Sequence, residues 1–456
     1  MELKLEKKDA ADWVYRGEGA ANLVLAYSGS SPDFAGKVMR IQKKAKNGSA
    51  AAAVHNKPVL TDQERLLWKE AKELVASQNK DAVERFFAQL VMGPLLGPKY
   101  VDAGVLVKVS RQFLEGIEEK VTGQRPSWRV DAAMVDVERD SVLIMPDHTV
   151  FPRGGSKGGG PCLSVEIKPK CGFLPSSSFI AEGNAVKKSA SRFKMHQALK
   201  LHNKDISEIS KYNPLDLFSG SKERMHKAIG DLFSTPQNNF RVFLNGSLIL
   251  GGLGGGTSKT NTVIEQTFED ALKGVIQATK GSRTASFMQL IAETVHHSGV
   301  LDQLLKVQKL DHLDIEGVIH AYYNLVSKPC MVCKDLNEAK ALHGCESLHS
   351  IPMDESLKIV KDYLIAAIAK DCSMMISFAP TDDVDVGSQY SSVRIPSTNQ
   401  KFDYKVSFID LDLKPLKKIE EYYELDQKIV KCYNRVAGGD HAKGAPASTE
   451  LPRDAN

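Results

Sequence analysis

Glu166, Lys168 and Lys170 alternate along Cys162-Leu163-Ser164-Val165-Glu166-Ile167-Lys168-Pro169-Lys170 and set an acceptor close to two cations. From Ser164 to Lys204 there are eight Lys or Arg (168, 170, 187, 188, 192, 194, 200 and 204), two His and only two Glu. A charge run is usually a solvated face. Here the cations are interleaved with apolar residues and broken by Gly and Pro, the pattern of a lined cleft whose ligand is anionic. Arg192, His196 and Lys200 follow at i, i+4 and i+8, which stacks them on roughly one face of a helix.

Two further constellations carry chemistry. Cys330-Met331-Val332-Cys333 brings two thiolates together, with His320, His343, Cys345 and His349 nearby in the sequence. Two thiolates and two imidazoles close a tetrahedral zinc shell. His320 and His349 are the preferred partners, and His343 or Cys345 could replace either. Four protein ligands leave no open position, so such a zinc is structural. Near the C-terminus, Asp371, Asp410 and Asp412 precede Lys414, Lys417 and Lys418, with Tyr422 and Tyr423 beyond. Acid flanked by base suits a divalent cation and phosphates that share a site.

The elements that must position these groups follow from periodicity. Leu163, Val165 and Ile167 alternate with polar residues, which predicts a half-buried strand; Pro169 stops its pairing and Lys170 leaves the sheet edge. Arg16-Gly17-Glu18-Gly19-Ala20-Ala21-Asn22 precedes the strand Leu23–Tyr27, and a second strand, 36–41, carries Lys37 and Arg40. Two such strands with a glycine turn suit a lid over phosphates. Lys43, Lys44, Lys46 and the alanine-rich stretch to Pro58 read as a mobile loop. Thr61-x-x-Glu64 is a capping box that opens a helix through about Ser77, and a second helix, 81–92, carries Glu84. Strand-like runs follow to Met145, Trp128-Arg129-Val130 among them. Later come a helix over 189–201, a helix opened by Asp216, a strand over 242–250, mainly helical residues from 262 to 326 and a helix over 354–370. Ser373–Phe378 and Phe402–Asp410 read as a hairpin across a polar loop, with Asp371 at its entrance. Gly251–Ser258 lacks the lysine a P-loop needs after its last glycine and is a flexible loop.

At 456 residues, 42% hydrophobic and 25% charged, the chain has the composition of a soluble protein of two or three lobes. A net charge of +4 hides the local concentration of cations. The charged N-terminus has no apolar core of a signal peptide, no stretch is long and apolar enough for a membrane span, and seven scattered cysteines argue for a reducing compartment. The expectation is a soluble monomer in the cytoplasm, with the nucleus as a further location, and no membrane or nucleic-acid partner.

Taken in order, Arg16-Gly-Glu-Gly, Glu166-Ile-Lys-Pro-Lys170, Arg192-Phe-Lys-Met-His196, Pro236-Gln-Asn-Asn-Phe-Arg241, Phe408-Ile-Asp410 and Lys414-Pro-Leu resemble the inositol-pentakisphosphate 2-kinases of plants over about residues 10–430. The resemblance implies an α+β, two-lobed kinase-like fold with a zinc-stabilised, helix-rich insertion in the C-terminal lobe. Lobes of 1–155 and 156–436 follow from it and from the glycine-rich stretch 152–160, and residues 437–456, rich in Gly, Pro, Ser, Asp and Asn, read as a disordered tail. It implies transfer of the ATP γ-phosphate to the 2-hydroxyl of inositol 1,3,4,5,6-pentakisphosphate, with ATP, Mg2+ and a structural Zn2+ as cofactors.

Position by position, Gly17, Gly19, Ala20, Asn22 and Arg40 resemble the parts around the ATP phosphates. Glu166 resembles the ribose contact, Asp147 and His148 lie near the hinge, and Asp410 resembles the magnesium ligand. Arg129, Lys170, Arg192, His196, Lys200, Asn238, Asn239, Arg241, Lys414, Lys418 and Tyr422 match the set that contacts the inositol phosphates. Lys168 resembles a residue bridging the moving phosphate and the substrate, and Asp371 the one near the acceptor hydroxyl. Three positions depart from the family pattern: Ala45 where a basic residue is expected, with Lys44 and Lys46 beside it; Ala20 where another Gly is common; and Pro146, which removes a backbone donor from the hinge. The rival readings are a zinc-stabilised nucleic-acid-binding protein, which lacks interleaved aromatics, and a non-catalytic inositol polyphosphate sensor, against which Lys168, Asp371 and Asp410 stand.

Overall fold

The computed structural model describes residues 4–19, 21–46, 58–152, 160–252, 262–334, 348–381 and 389–437. Ala20, most of the alanine-rich stretch, residues 153–159, the glycine-rich loop from 253, His343, Cys345 and the expected tail from 438 lie outside them. The described chain is a mixed α/β structure built on two sheets. No helix among the described residues is long and apolar enough to cross a membrane.

The first sheet has the order β1-β5-β7-β4-β3-β2, with β6 paired to β4. Its strands are β1 (Lys4–Leu5), β2 (Trp13–Glu18), β3 (Asn22–Tyr27), β4 (Lys37–Ala45), β5 (Val105–Val109), β6 (Ala133–Val135) and β7 (Ser141–Pro146). Trp13, Leu23, Leu25, Met39 and Ile41 alternate onto one buried face. The helix Arg111–Thr122 covers it with Phe113, Leu114, Ile117 and Val121, and Ser110 caps that helix by accepting from the Phe113 N–H. This helix stands among residues read above as strand-like; its apolar period is helical, and the short β-like runs around it masked that. Trp128-Arg129-Val130 also proves helical, within Ser127–Ala132. Pro126 starts the turn, accepting from the Arg129 and Val130 N–H groups. Trp128 stays half exposed under the Arg129 guanidinium rather than entering a sheet. Lys43 and Lys44 belong to β4, opposite Val135 and Met134, and not to a mobile loop.

The second sheet has the order β10-β9-β8-β11-β13-β12. It comprises β8 (Leu163–Ile167), β9 (Phe240–Leu244), β10 (Ser247–Leu250), β11 (Ser373–Pro380), β12 (Ser391–Arg394) and β13 (Lys401–Ile409). β8 lies between β9 and β11 and is buried along its whole length, so the half-buried strand expected above is corrected. Its alternation separates an apolar face from a polar face that is covered too, because Glu166 is neutralised there by Arg241. The strand expected over 242–250 is two strands joined at Asn245-Gly246, both at positive φ. Asn-Gly is the strongest short hairpin signal, and a Cβ on Gly246 would meet the Arg16 guanidinium at 2.7 Å. β11 and β13 pair antiparallel from Ser373↔Ile409 to Pro380↔Phe402, but β12 lies on the far side of β13, so the pair is not a simple hairpin.

Helices complete the larger core. The Thr61–Glu64 capping box forms, but its helix is Asp62–Leu67 and a separate helix, Lys72–Ala76, follows. The break turns Trp68 inward against Phe87, ring centroids 5.2 Å apart. Leu67, Trp68, Leu74, Phe87 and Leu96 join the core of the second sheet rather than that of the first. Asp216 sits inside the short helix Pro214–Leu217, and the next helix, Lys222–Ser234, is opened by Ser221. Arg192–His202, Asp314–Leu325, Met353–Asp371 and Lys418–Ala437 supply the groups considered next.

Candidate functional site

Two cavities meet the residues expected around the phosphates. The smaller, about 180 Å³, lies between the sheets; Arg16, Arg40, Asp147, His148, Glu166, Asp410 and Asp412 line it among apolar residues of β3, β4, β7 and β13. The larger, about 400 Å³, is lined by Lys170, Arg192, His196, Lys200, Asn238, Asn239, Asp371 and Tyr422, with Lys187, Lys370, Asp311, Asp314 and Asp426 among its other lining residues.

The end of β8 serves both. Lys168 donates from Nζ to Asp410 Oδ2 at 2.8 Å, on the smaller cavity. Lys170, two residues on, donates to Asp371 Oδ1 at 2.9 Å, on the larger. Lys170 and Asp410 both have positive φ (61° and 62°), conformations that cost energy in non-glycine residues and re-aim side chains as a strand ends. Asp371 is the last residue of its helix, and β11 starts two residues later. Burial pushes the Asp410 carboxyl up, but the Lys168 ammonium, then Arg40 and Arg241, outweigh it and hold the carboxyl below its ordinary value. Asp371 is likewise held low against burial, chiefly by Lys170, with Lys168 and Lys414 adding to it. Both are therefore carboxylates at neutral pH. Burial would lower the Lys168 ammonium, and Asp410 and Glu166 more than restore it.

Around the smaller cavity, Arg40 pairs with Asp412 and lies 3.7 Å from Glu84. Burial, with the Asp412 charge behind it, raises Glu84 to about 7. Asp412, two residues after Asp410, lies with it beyond the end of β13 and holds Arg40 there. Asn22 sits against the same Arg40–Asp412 pair. Gly17 lies in β2 opposite Val24, and Gly19 closes the turn by donating to Asn22 O at 2.9 Å. Glu18 is buried between Lys43 and Arg125. At the expected hinge the Asp147 N–H is taken by Gly36 O, at 2.9 Å. Among the described residues His148 Nε2 is buried without a partner, and burial, with Lys405 adding to it, pushes the ring down to about 4. Glu166 accepts from Arg241 Nη1 and from Ser373 Oγ, both at 2.8 Å. Arg241 thus reaches toward the smaller cavity rather than the larger.

On the larger cavity, Arg192, His196 and Lys200 do share one helix face, behind an N-cap from Ser191. Burial and then the cations Lys200, Arg192 and Lys170 push His196 down to about 4. Arg192 pairs with Asp426, whose other oxygen accepts from the buried Lys187 at 2.7 Å. Lys414 lies close enough to help hold the Asp371 charge, and the Leu416 N–H donates to Glu64 Oε1 at 2.8 Å, which ties down its loop. Four expected members stay outside the cavity wall: Arg241, turned toward Glu166; Lys414; Lys418, paired with Glu421; and Arg129, which donates to Gly19 O at 3.2 Å on the glycine turn.

The four preferred soft ligands come together although 29 residues separate His320 from His349. His320 Nδ1 and His349 Nε2 are 3.1 Å apart. Cys330 Sγ and Cys333 Sγ each lie 3.5 Å from His320 Nδ1, and Cys333 Sγ lies 3.3 Å from His349 Nε2. A tetrahedral shell with bonds of about 2.0–2.3 Å has edges of roughly 3.3–3.8 Å, so the donor set fits zinc. Burial pushes His320 down to about 4, which leaves its ring neutral with a lone pair to give.

The chain matches the family model described as inositol-pentakisphosphate 2-kinase over residues 15–428. An inositol-pentakisphosphate 2-kinase of Arabidopsis thaliana is 59% identical over 436 residues, which cover 95% of this chain and 96% of that one. A relative of that name from Oryza sativa subsp. indica is 49% identical over 443 residues, covering 96% and 98%. One from Danio rerio is 29% identical over 491 aligned positions, covering 95% of each.

Proposed function

Because the chain belongs to the inositol-pentakisphosphate 2-kinase family, we propose that it phosphorylates inositol 1,3,4,5,6-pentakisphosphate on the 2-hydroxyl with ATP, yielding inositol hexakisphosphate and ADP. The observation that carries the residue roles is the pair of Lys–Asp contacts, Lys168–Asp410 and Lys170–Asp371, facing two separate cavities from the end of one strand. One carboxylate serves the nucleotide, the other the acceptor, and a lysine accompanies each.

In this reading ATP takes the cavity between the sheets, under the Gly17–Gly19 turn, with Arg40 toward its phosphates, Glu166 toward the ribose, and Asp147 and His148 at the adenine end. Asp410 is the residue that would hold magnesium, which supplies charge neutralisation at the phosphates. The inositol phosphate takes the larger cavity. Five phosphates carry about −8 to −10, so Lys170, Arg192, Lys200 and Lys414 act as a group, with His196, Asn238, Asn239 and Tyr422 between them. Arg129, Arg241 and Lys418 reach the ligand only if side chains shift from the partners described above. The 2-hydroxyl oxygen forms the new P–O bond, the bond from the γ-phosphorus to the β-γ bridging oxygen breaks, and ADP leaves. Asp371 accepts the hydroxyl proton, and Lys168 stabilises charge on the moving phosphoryl group. Two lobes divided near residue 155, in the manner of kinases but with residues 60–96 packed onto the core of the second sheet, suit an ATP site between sheets. His320, Cys330, Cys333 and His349 hold a structural zinc that stiffens the helical part of the second lobe.

A coupled assay of ADP release tests the proposal. Release that requires the pentakisphosphate is expected; ATP turnover indifferent to it would overturn the assignment.

A further inference from the structure

Pro236-Gln237-Asn238-Asn239 contains a buried polar residue, Gln237, that the site above does not use. Gln237 is buried, 5% exposed, and has φ +46°. A non-glycine residue in the left-handed region persists only where its surroundings over-determine it. Its side chain meets Gln197, 2% exposed, in a reciprocal amide pair. Gln197 Nε2 donates to Gln237 Oε1 at 2.9 Å, and Gln237 Nε2 donates to Gln197 Oε1 at 3.0 Å.

Gln197 itself lines the larger cavity, and Gln237 is covalently next to its wall. Gln197 follows His196 on the helix that carries Arg192 and Lys200; Gln237 precedes Asn238 and Asn239. Gln197 Oε1 also accepts from the Ser210 N–H at 3.1 Å. Two residues on, Tyr212 donates its hydroxyl to Pro169 O at 2.8 Å, between Lys168 and Lys170. The cationic helix and the asparagine turn therefore meet at one buried amide pair, and the Ser210–Tyr212 segment links that pair to the strand end.

We infer that the Gln197–Gln237 pair is a positioning element that fixes the cationic helix face against the asparagine turn and so sets recognition of the inositol phosphate. It acts through its neighbours: Gln197 lies in the cavity wall but is 2% exposed, and its amide is taken up by Gln237. The inference rests on the functional reading above. A rigid, multiply phosphorylated ring requires its contacts in fixed mutual geometry, and small misplacements cost far more than the bonds that caused them. Buried amides satisfied in both directions rigidify such an arrangement.

Gln237→Asn is the discriminating variant. Asparagine is at ease at positive φ, so the turn stays, while the side chain is one methylene too short to reach Gln197. Gln197→Leu removes the pair from the other side. With inositol 1,3,4,5,6-pentakisphosphate and ATP as probes, both variants are expected to raise KM for the inositol phosphate about tenfold or more, with KM for ATP within about twofold of wild type. ATP affinity by calorimetry, unchanged in Gln237→Asn, reports an intact fold. An active wild type with Gln237→Asn at normal KM for both substrates would overturn the positioning role alone. Equal losses for both substrates would reduce the pair to general stability and overturn it too. A wild type that does not use the pentakisphosphate would instead overturn the reading on which the inference rests.

Discussion

Replacing Asp371 by Asn separates the chemical step from binding, and the resting contacts set the size of both effects. Asp371 is ionised at neutral pH because Lys170 stands 2.9 Å away, with Lys168 and Lys414 behind it. Asparagine keeps the shape and removes the capacity to accept a proton. A base of this kind contributes about 10²–10⁴-fold, or roughly 3–5 kcal/mol at 1.36 kcal/mol per decade, so kcat should fall by that factor. Binding should move the other way. In the free protein Lys170 is held by Asp371, and a substrate phosphate must draw it off. That pair is solvent-screened, its side chains 21% and 67% exposed, and such pairs contribute about 0–1 kcal/mol. Asp371→Asn should therefore bind the inositol phosphate as well as wild type or up to about fivefold more tightly, with ATP affinity unchanged. Single-turnover kinetics give the chemical rate, and calorimetry gives both Kd values. A near-normal chemical rate would refute the base assignment. A large loss of inositol phosphate affinity would refute the claim that Lys170 changes partners.

Three other outcomes are expected. Arg192→Ala should weaken inositol phosphate binding by roughly 1.5–3 kcal/mol, the range for charge-assisted bonds, flatten its salt dependence and leave ATP binding alone; equal losses for the two ligands in calorimetry would remove Arg192 from the cradle. One zinc per chain is expected by metal analysis, and Cys333→Ser should lower both zinc content and Tm, since the shell adds to folding free energy only when metal fills it; native protein with below about a tenth of an equivalent would contradict the site. His148 titrates at about 4 in the folded chain against an ordinary 6.5, so the unfolded state takes up the proton first as pH falls: stability is full above 6.5 and is lost between 6.5 and 4, on the order of 3 kcal/mol at the lower end. Denaturation curves at several pH values should show a shallower acid loss in His148→Gln, and identical slopes would refute it.

Much of the site was legible because it is carried by short, chemically distinctive runs. The glycine turn, the Glu166–Lys170 strand end, the i, i+4, i+8 helix face and the Cys-x-x-Cys turn each name a local geometry, and the chain folds to match it. What was not legible depends on partners far away in sequence. The strand Leu163–Ile167 reads as half-buried because its own pattern says nothing of Arg241, which lets Glu166 be covered. Nothing local to Asp412 or Asp426 announces that they hold Arg40 and Arg192. The helix over 111–122 was within reach, as Phe113, Leu114, Ile117 and Val121 have helical spacing. So was the Asn245-Gly246 turn. The capping box at Thr61 fixed where a helix starts, but Trp68, drawn into the core beside Phe87, decided where it stops.

The central claim is that the γ-phosphoryl group moves from ATP in one cavity to an inositol hydroxyl in the other. Incubation of the protein with γ-labelled ATP and inositol 1,3,4,5,6-pentakisphosphate, followed by separation of the inositol phosphates, tests it directly. The account predicts label in inositol hexakisphosphate in step with ADP formed, and loss of that product in Asp410→Asn. Label recovered only as inorganic phosphate, or a pentakisphosphate unchanged while ATP is consumed, would contradict it.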